Sequence, residues 1–299
     1  MRLVDLGDPG PPRARQVRVR MMRMPINPAD ILAIDRSYAF AVDDAHPLGA
    51  EGVGIVEAIG EKVNDLEPGD MVLPSNRGNW CAVRLVERSA LISLPCGIDP
   101  AHAAMLRINP PTAWLLLDAL GVEAGDVIVQ NAGGSAVAGW VRAFGRSREI
   151  RVVDVVRRFD PAVPDALIDG PDLADRVRAD IAEPIRGALD CVAGEATGRL
   201  AACLEAGARV MLFGHLSRAP ISVASSLLTG RGLTIAGFSL RPAEAALDAN
   251  SLRRLRSDVL AMLPSVPHLP VRAVFSLAEA DRAIAQARSG ERGRIHLRP

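Results

Sequence analysis

The single tyrosine of this 299-residue chain, Tyr38, is the first side chain whose chemistry draws attention. It follows the sequence Asn-Pro-Ala-Asp at residues 27–30. That sequence is typical of a helix start, because Asn caps helices well and Pro suits their first position. A phenol, with a pKa of about 10, can donate a hydrogen bond to a substrate oxygen. From the residues alone, a packing or capping role for Tyr38 stands beside a catalytic one.

A glycine-rich turn is the second candidate, in the sequence VQNAGGSAVAGWVRAF at residues 129–144. Its pattern indicates a strand, a turn and a helix. Gly133 and Gly134 can adopt positive φ and let backbone N–H groups approach a diphosphate at the helix N-terminus. The spacing differs from G-x-G-x-x-G, so an ordinary strand-to-helix turn remains the alternative.

Two arginines, Arg157 and Arg158, close the next strand-like run. Dinucleotide-binding folds that prefer NAD carry an acidic residue at this point, which accepts a hydrogen bond from the ribose 2′-hydroxyl. Arginine suits a 2′-phosphate instead, so the pair predicts NADPH as the cofactor. A solvated strand end is the alternative explanation for both charges.

The elements that must position these residues change character near residue 108. Before it, alternating and glycine-interrupted runs such as QVRVRMMRM and LGAEGVGIVEAIG indicate β-barrel-like structure. After it, short apolar runs predict a doubly wound parallel sheet. These runs are DVIVQN, IRVVDVV, DALI, GALDCV, ARVMLF and LTIAGF. Two amphipathic helices follow, one carrying Leu252, Leu255, Val259 and Met262 on one face and one closed by Gly290.

Composition narrows the function classes. The chain is 49% hydrophobic with a net charge of +0, so it lacks a basic nucleic-acid footprint at the whole-chain level. No apolar run approaches the roughly 18 residues of a membrane span, and the start MRLVDLGDPG lacks a signal-peptide core, so a cytoplasmic location is expected. The four cysteines form no C-x-x-C pair and no His cluster accompanies them, so no zinc site is predicted.

Five segments carry a family resemblance: INPAD, LGAEGVGIVEAIG, PGDMVLP, NPPTAW and VIVQNAGGSAV. In this order they resemble the medium-chain dehydrogenase/reductase superfamily, in its zinc-independent branch. The segments QNAGGSAV, GNW and FGHLSRAPISVASSLLTGRGLTIAGFSL are most similar to the mitochondrial-type 2-enoyl thioester reductases. The resemblance implies an α/β fold with a Rossmann doubly wound parallel sheet and a GroES-like β-barrel catalytic domain. It implies the boundaries 1–108 (catalytic domain, N-terminally short), 109–264 (Rossmann domain) and 265–299 (return to the catalytic domain).

The same resemblance implies NADPH-dependent reduction of the C2=C3 double bond of 2-enoyl thioesters of coenzyme A or acyl-carrier protein, in fatty acid metabolism. Hydride reaches C3, and negative charge develops on the carbonyl oxygen, which Tyr38 would hold by donating a hydrogen bond. The family's other roles carry over by position to cofactor-binding residues. These are Asn109, Gly134, Ser135, Ala136, Val137, Arg157, Arg158, Phe213, Gly214, His215, Leu216, Phe238, Ser239, Leu240 and Arg294.

The resemblance also implies a homodimer, and the apolar run GLTIAGFSL is the candidate edge strand for it. The chain departs from the family pattern in several places. The sequence FDPAVPD replaces a crossover helix, so the strands on either side are expected to pair unusually. Ala138 and Glu149 replace glycines. Two alternatives remain open: an NADPH-dependent quinone or enone oxidoreductase, and a degenerate non-catalytic homologue that acts as a binding protein.

Overall fold

The computed structural model describes residues 3–37, 47–266 and 269–299. The chain divides into two compact units, Met1–Ile108 with His268–Pro299 and Asn109–Pro267. The first stretch of unit 1 contains β1 (Gln16–Pro25), α1 (Pro28–Ile34), β2 (Val53–Ile59), β3 (Met71–Pro74), β4 (Val83–Glu87), a 3-10 helix (Arg88–Ala90), β5 (Leu91–Ser93) and α2 (Pro100–Ala103).

Unit 2 alternates helices with strands along the chain. Its elements are α3 (Asn109–Leu120), β6 (Val127–Gln130), α4 (Ala136–Ser147), β7 (Arg151–Val156), β8 (Leu167–Ile168), α5 (Leu173–Asp180), β9 (Ile185–Asp190), α6 (Glu195–Cys203), β10 (Arg209–Leu212), α7 (Ser225–Thr229), β11 (Thr234–Gly237), α8 (Leu240–Ala245), α9 (Ala249–Met262) and a 3-10 helix (Leu263–Ser265). The chain then adds to unit 1 β12 (Val271–Ser276), a 3-10 helix (Leu277–Glu279), α10 (Ala280–Ala287) and β13 (Arg294–Arg298).

Strand β1 is the centre of unit 1, pairing antiparallel with β2, β4 and β13. The strand order among the described residues is β12-β13-β1-β2-β3-β5, with β4 attached to β1. Val17, Val19 and Met21 alternate along β1 and are at most 1% exposed. Because alternate residues of a strand face the same side, this spacing sends one face of β1 into the core of unit 1.

The sheet of unit 2 is parallel, with the strand order β11-β10-β9-β6-β7-β8 among the described residues. Every predicted apolar run became one of these strands, so the predicted doubly wound parallel sheet is confirmed. Strands covered on both faces read as continuous hydrophobic runs, which explains why the sequence marked them so clearly. In α9, Leu255 and Val259 are buried on the predicted apolar face.

The connection after β7, residues 157–166, reaches the next strand without a helix. Strand β8 then pairs in parallel with the end of β7, through Val155–Leu167 and Val156–Ile168. The strands that flank the shortened crossover therefore pair, over two residues. Before β7, Glu149 adopts a φ of 57° where the family has glycine, and this left-handed conformation strains a residue with a side chain.

Candidate functional site

The loop after β6 carries the glycine-rich turn to the carboxyl end of the parallel sheet. The N–H of Gly133 donates to the carbonyl of Val155 at 3.0 Å, which fastens the loop to β7. The N–H of Ser135 donates to the carbonyl of Ala132 at 2.8 Å, and Ala132 has a φ of 50°. The loop is therefore closed on itself and tied to the neighbouring strand.

The two glycines lie closely against acidic side chains. A Cβ added to Gly133 would lie 2.8 Å from both Cβ and Oδ1 of Asp154, and one added to Gly134 would lie 2.5 Å from Oδ2 of Asp160. Both distances are below the 3.0 Å that real Cβ atoms keep. Any larger residue at either position would displace the loop or the acid beside it.

Helix α4 starts directly from this loop. Ser135 is the N-cap, with extended backbone, and its Oγ accepts the N–H of Ala138 at 3.2 Å. Ala136 and Val137 form the first turn, whose N–H groups have no partner inside an α-helix. The positive end of the helix dipole lies at the same place. Ala138 is buried at 2% exposure, so the methyl group that replaces the family's glycine is accommodated by packing.

A buried polar network holds the glycine-rich loop in place. Asp154 lies in the middle of β7, and its Oδ1 accepts hydrogen bonds from Arg142 Nη1 at 2.9 Å and Gln130 Nε2 at 2.8 Å. Arg142 Nη1 also donates to the carbonyl of Gly133 at 2.7 Å. Burial raises the pKa of Asp154, and the Arg142 guanidinium opposes that rise. The network therefore links β6, α4 and β7 to the glycine turn itself.

The end of β7 presents the predicted arginine pair to solvent. Arg157 and Arg158 are exposed, and the next residue, Phe159, is 68% exposed. Asp160 then turns back, half-buried, to the side of Gly134. Unit 2 thus brings the arginines, the glycine turn and the start of α4 to the same edge of the sheet.

The neighbouring strand end, that of β9, is fixed by the asparagine of the loop. Asn131 Nδ2 donates to Asp190 Oδ1 at 2.5 Å, and Asn131 Oδ1 accepts the N–H of Cys191 at 2.9 Å. Asp190 also accepts a hydrogen bond from Thr197 Oγ1 at 2.6 Å. Burial raises the pKa of Cys191 to about 12, so its thiol is neutral. These hydrogen bonds fasten the end of β9 to the loop after β6 and to α6.

The predicted turn Phe213–Leu216 follows β10 and packs on the end of β9. The N–H of Phe213 donates to the carbonyl of Asp190 at 2.9 Å, and that of Leu216 to the carbonyl of Cys191 at 3.0 Å. A Cβ on Gly214 would lie 2.8 Å from the same Cys191 carbonyl oxygen. His215 lies between them, half-buried.

The predicted segment Phe238–Leu240 follows β11 at the same edge. The N–H of Phe238 donates to the carbonyl of Leu212 at 2.8 Å. Ser239 is the N-cap residue of α8, which begins at Leu240. Asn109, the remaining predicted residue of unit 2, is buried at the start of α3.

Unit 1 contains a buried acidic cluster at the start of α1. Asn27 Nδ2 donates to Glu51 Oε1 at 2.9 Å, and the other oxygen of Glu51 accepts the N–H of Ile108 at 3.0 Å. Asp30 Oδ1 accepts the N–H of Ala50 at 2.8 Å, and its Oδ2 accepts the N–H of Asn27 at 3.0 Å. Burial raises the pKa of Glu51 to about 7 and that of Asp30 to about 6.

Arg294 belongs to this cluster. Its Nη1 donates to the carbonyl of Ile26 at 3.2 Å, and burial lowers its pKa while Glu51 and Asp30 oppose that change. The predicted role of Arg294 in cofactor binding stays a prediction, as do the roles of the other predicted site residues. Tyr38 lies outside the described residues.

The described residues contain no group of three or more His, Cys, Asp or Glu side chains that could hold a metal ion. Within the same ranges, none of the helices is both long enough and apolar enough to cross a membrane.

These features fit a dinucleotide. The glycine turn leaves no room for side chains, the N-terminus of α4 offers N–H groups to a diphosphate, and exposed arginines follow the next strand. These residues lie at the carboxyl ends of parallel strands, which is where open α/β sheets bind their ligands.

Comparison with known proteins agrees with this architecture. Residues 13–107 match the family model of the alcohol dehydrogenase GroES-like domain. Mitochondrial enoyl-[acyl-carrier-protein] reductase of Xenopus tropicalis is 32% identical over 245 residues, covering 76% of this chain and 69% of that protein. The human enzyme of the same name is 32% identical over 256 residues, covering 76% of this chain and 65% of that protein.

Two solved structures have the same fold. A protein assigned as an NADPH:quinone reductase from Bacillus thuringiensis has a TM-score of 0.86 at 25% identity, with 98% of this chain and 92% of that chain covered. The Etr1p/NADP/crotonyl-CoA complex has a TM-score of 0.84 at 21% identity, with 99% and 93% covered. A GroES-like domain followed along the chain by a parallel sheet with a glycine turn defines a medium-chain dehydrogenase/reductase.

Within that class, the chain belongs to the zinc-independent family of mitochondrial-type enoyl thioester reductases. The predicted family and the GroES-like part of the predicted fold are thereby confirmed. The chain spans about two thirds of the length of these two relatives, 69% of the Xenopus protein and 65% of the human one.

Several residues that shape the site were not singled out by sequence reasoning. For Asp154 and Arg142 the sequence contains one signal, which is the charged Asp154 inside the apolar run RVVDVV. The interior of a sheet tolerates such a charge only when it is paired. Asp160 left no such signal, because its approach to Gly134 depends on how the connection after β7 folds.

Proposed function

We propose that the protein reduces the C2=C3 double bond of 2-enoyl thioesters with NADPH as hydride donor. Family membership supports the reaction class, since the relatives are named enoyl-[acyl-carrier-protein] reductases. The observation that carries the cofactor assignment is the edge of the unit 2 sheet, where the capped start of α4, the glycine turn and Arg157 meet. NADPH, when bound, supplies a hydride to C3 of the substrate.

The residues of unit 2 hold and orient the cofactor in this proposal. The N–H groups of Gly134, Ala136 and Val137 bind the diphosphate, and Ser135 fixes the first turn of α4 by capping it. Arg157 and Arg158 bind the 2′-phosphate, each charged hydrogen bond contributing roughly 1.5–3 kcal/mol. The turn at Phe213–Leu216 and the segment at Phe238–Leu240 are proposed to line the nicotinamide side.

Tyr38 is the proposed catalytic residue. Its phenol donates a hydrogen bond to the thioester oxygen while negative charge develops there, and C2 then takes a proton from the phenol or from water. A donor placed at a developing oxyanion is worth about 10²–10³ in rate. Asn109 is proposed to contact the cofactor near its nicotinamide. Arg294, which comes late in the chain, is proposed to bind the cofactor as well.

Turnover of crotonyl-CoA with NADPH tests this function directly. We expect measurable kcat/KM on crotonyl-CoA and NADPH binding that is detectable by cofactor fluorescence. A second candidate, quinone reduction, has specific support, because the Bacillus thuringiensis neighbour is assigned as an NADPH:quinone reductase. A naphthoquinone in the same assay separates the two, since turnover of the quinone alone would favour the second candidate.

The degenerate-homologue alternative makes its own measurable claim. A non-catalytic relative would show no turnover on either substrate and no binding of NADPH at ordinary cofactor concentrations. Calorimetric titration of the full chain with NADPH therefore separates it from both enzyme candidates.

The proposed substrate is an acyl thioester of coenzyme A or acyl-carrier protein, and the proposed assembly is a homodimer. Strand β11 lies at the edge of the unit 2 sheet, and an apolar edge strand invites pairing with a second copy. A heterodimer of Etr1p and Etr2p from Candida tropicalis has been solved for a protein of this fold. Light scattering that gives a monomer at micromolar concentration would refute the dimer. A cytoplasmic location stays a prediction, and the relatives above are named as mitochondrial.

A further inference from the structure

Asp190, the last residue of β9, has a completely buried carboxylate at the centre of a hydrogen-bond network. Its Oδ1 accepts the N–H of Val192 at 2.8 Å and that of Ala193 at 3.0 Å. The same oxygen accepts Asn131 Nδ2, and Oδ2 accepts Thr197 Oγ1 at 2.6 Å. A buried carboxylate needs such donors, because its burial without them is very costly. The donors come from three parts of unit 2: the loop after β6, the turn after β9 and helix α6.

The turn that Asp190 holds has an unusual backbone. Ala193 has a φ of 64°, and Gly194 has a φ of 65°. A residue with a side chain rarely adopts this left-handed conformation, so Ala193 keeps it only where its surroundings fix it. The two hydrogen bonds from the backbone of the turn to Asp190 Oδ1 supply that constraint. Asp190 therefore determines the path of the chain directly after β9.

The backbone of residues 190–192 holds the segment Phe213–Leu216, to which the proposed function assigns the nicotinamide side. Three successive carbonyls of that backbone accept N–H groups from the first residue of the segment, from its last residue and from Ser217, at 2.9, 3.0 and 2.8 Å respectively. A Cβ on Gly214 would lie 2.8 Å from the carbonyl oxygen of Cys191, so the segment also packs directly against this turn.

On its other side, Asp190 is bonded to the glycine-rich loop. Asn131 donates to the carboxylate, and its own Oδ1 accepts the N–H of Cys191 at 2.9 Å. The next residue, Ala132, has a φ of 50°, and its carbonyl accepts the N–H of Ser135, the N-cap of α4. One buried carboxylate thus contacts both the loop that is proposed to bind the diphosphate and the turn that carries the nicotinamide-side segment.

We propose that Asp190 is a positioning residue of the cofactor site, which holds the segment Phe213–Leu216 in a fixed place relative to the diphosphate loop. The inference rests on the proposed function, because it assumes that these two segments bind the two ends of one NADPH molecule. Asp190 is buried, so it acts through the backbone and not by contact with the ligand. Its removal should weaken the binding of the nicotinamide more than the binding of the adenosine and diphosphate.

Two ligands separate these parts of the binding. The compound 2′-phospho-ADP-ribose has the adenosine, 2′-phosphate and diphosphate of NADPH but lacks the nicotinamide. We expect Asp190→Ala to weaken NADPH about tenfold and 2′-phospho-ADP-ribose less than about threefold, because the turn that supports the segment loses its hydrogen bonds. Asp190→Asn keeps an oxygen for the three donors at Oδ1, so both affinities should stay within about twofold of the wild type.

Two further variants make the test specific. Gly214→Ala should give the same pattern as Asp190→Ala, because its methyl group would displace the segment from the Cys191 carbonyl without altering Asp190. It also guards against a folding defect in Asp190→Ala. Thr197→Val is the matched control, since it removes only the hydrogen bond at Oδ2 and leaves Oδ1, which holds the turn, in place. It should lower stability and change the ratio of the two dissociation constants by less than about twofold.

Calorimetric titration of the full chain with each ligand measures these affinities without any substrate, and urea unfolding of the same variants measures stability. Equal weakening of the two ligands in both Asp190→Ala and Gly214→Ala would overturn the inference and leave the proposed function intact. A ratio that changes as much in Thr197→Val as in Asp190→Ala would also overturn it, since any loss of stability would then have the same effect. A wild type that binds neither ligand would refute both the inference and the proposed cofactor site.

Discussion

Asp154 and Arg142 form an ion pair next to the glycine turn. Removing Arg142 should lower the free energy of unfolding much more than removing Asp154. The side chain of Asp154 is 6% exposed, whereas that of Arg142 is 21% exposed. Replacing Arg142 with Met leaves a buried carboxylate that, among the described residues, keeps the side-chain amide of Gln130 as its hydrogen-bond donor. Replacing Asp154 with Asn leaves a guanidinium that retains the Gly133 carbonyl and can turn toward water.

The magnitudes follow from that geometry. Removing one partner of a fully buried ion pair costs about 3–5 kcal/mol, so we expect about 3 kcal/mol for Arg142→Met. Asp154→Asn keeps a neutral acceptor for Gln130 and loses only the charged component, so we expect about 1 kcal/mol. In the double variant the unpaired carboxylate is gone. Its free energy of unfolding should exceed that of Arg142→Met by about 1–2 kcal/mol, so that the second substitution rescues the first.

Cofactor binding should not be rescued, because it is Arg142 of this pair, and not Asp154, that donates to the carbonyl of Gly133. We expect NADPH affinity to fall about three- to tenfold in Arg142→Met and to stay low in the double variant. Burial raises the folded-state pKa of Asp154, so the folded chain takes up this proton more readily than the unfolded chain does. The contribution of this group to stability therefore falls as the pH rises, and the Arg142→Met defect should shrink at low pH.

Urea unfolding followed by circular dichroism, with NADPH titration of the same samples, measures both effects. Destabilisation in the double variant equal to the sum of the single effects, within about 0.5 kcal/mol, would refute the coupling. Recovery of NADPH affinity in the double variant would refute the separate role of Arg142 at Gly133.

Three further predictions concern the proposed catalytic residue, the arginine pair and the buried acids of unit 1. Tyr38→Phe should lower kcat/KM on crotonyl-CoA by about 10²–10³ with NADPH affinity nearly unchanged; a lower melting temperature with normal turnover would instead indicate a packing role. Arg157→Ala combined with Arg158→Ala should weaken NADPH about tenfold to a hundredfold and NADH less than about twofold, as measured by titration; equal losses would contradict 2′-phosphate recognition. Burial raises the folded-state pKa of Glu51 from 4.5 to about 7, so the free energy of unfolding should fall as the pH rises between those values. In urea unfolding at pH 5 and pH 8, Glu51→Gln should reduce the difference between the two free energies by about 2–3 kcal/mol.

The sequence was sufficient for the sheet of unit 2, because each buried parallel strand is a continuous apolar run between polar breaks. Strand β9, for example, is buried along most of its length and was marked by the run GALDCV. Local pattern also located the glycine turn, since a strand-like run, two glycines and a helical pattern follow one another there. Signals of this kind act within a few residues and need no knowledge of the tertiary fold.

The support of the turn could not be predicted, because it depends on pairs that are distant in sequence. Asp154 meets a residue 12 positions away on α4 and another 24 positions away on β6. Those contacts exist only once β7 lies beside β6 and α4 packs across them. The connection after β7 is a second case. Its two prolines indicated a missing helix, but the turn that begins at Asp160 and delivers the chain to β8 is a tertiary result.

The two acids beside the glycine turn differ in what surrounds them, and that difference assigns their roles. Asp154 is buried and receives Arg142 and Gln130, so its charge is balanced within the protein. Asp154 lies 2.8 Å from an ideal Cβ of Gly133, so it packs directly against the loop and helps to fix its position. Asp160 is half-buried on the connection after β7, where its Oδ1 accepts the N–H of Ala162 at 2.9 Å. Neutralising the buried Asp154 should therefore lower the free energy of unfolding more than neutralising the half-buried Asp160 does, as urea unfolding of the two Asn variants would show.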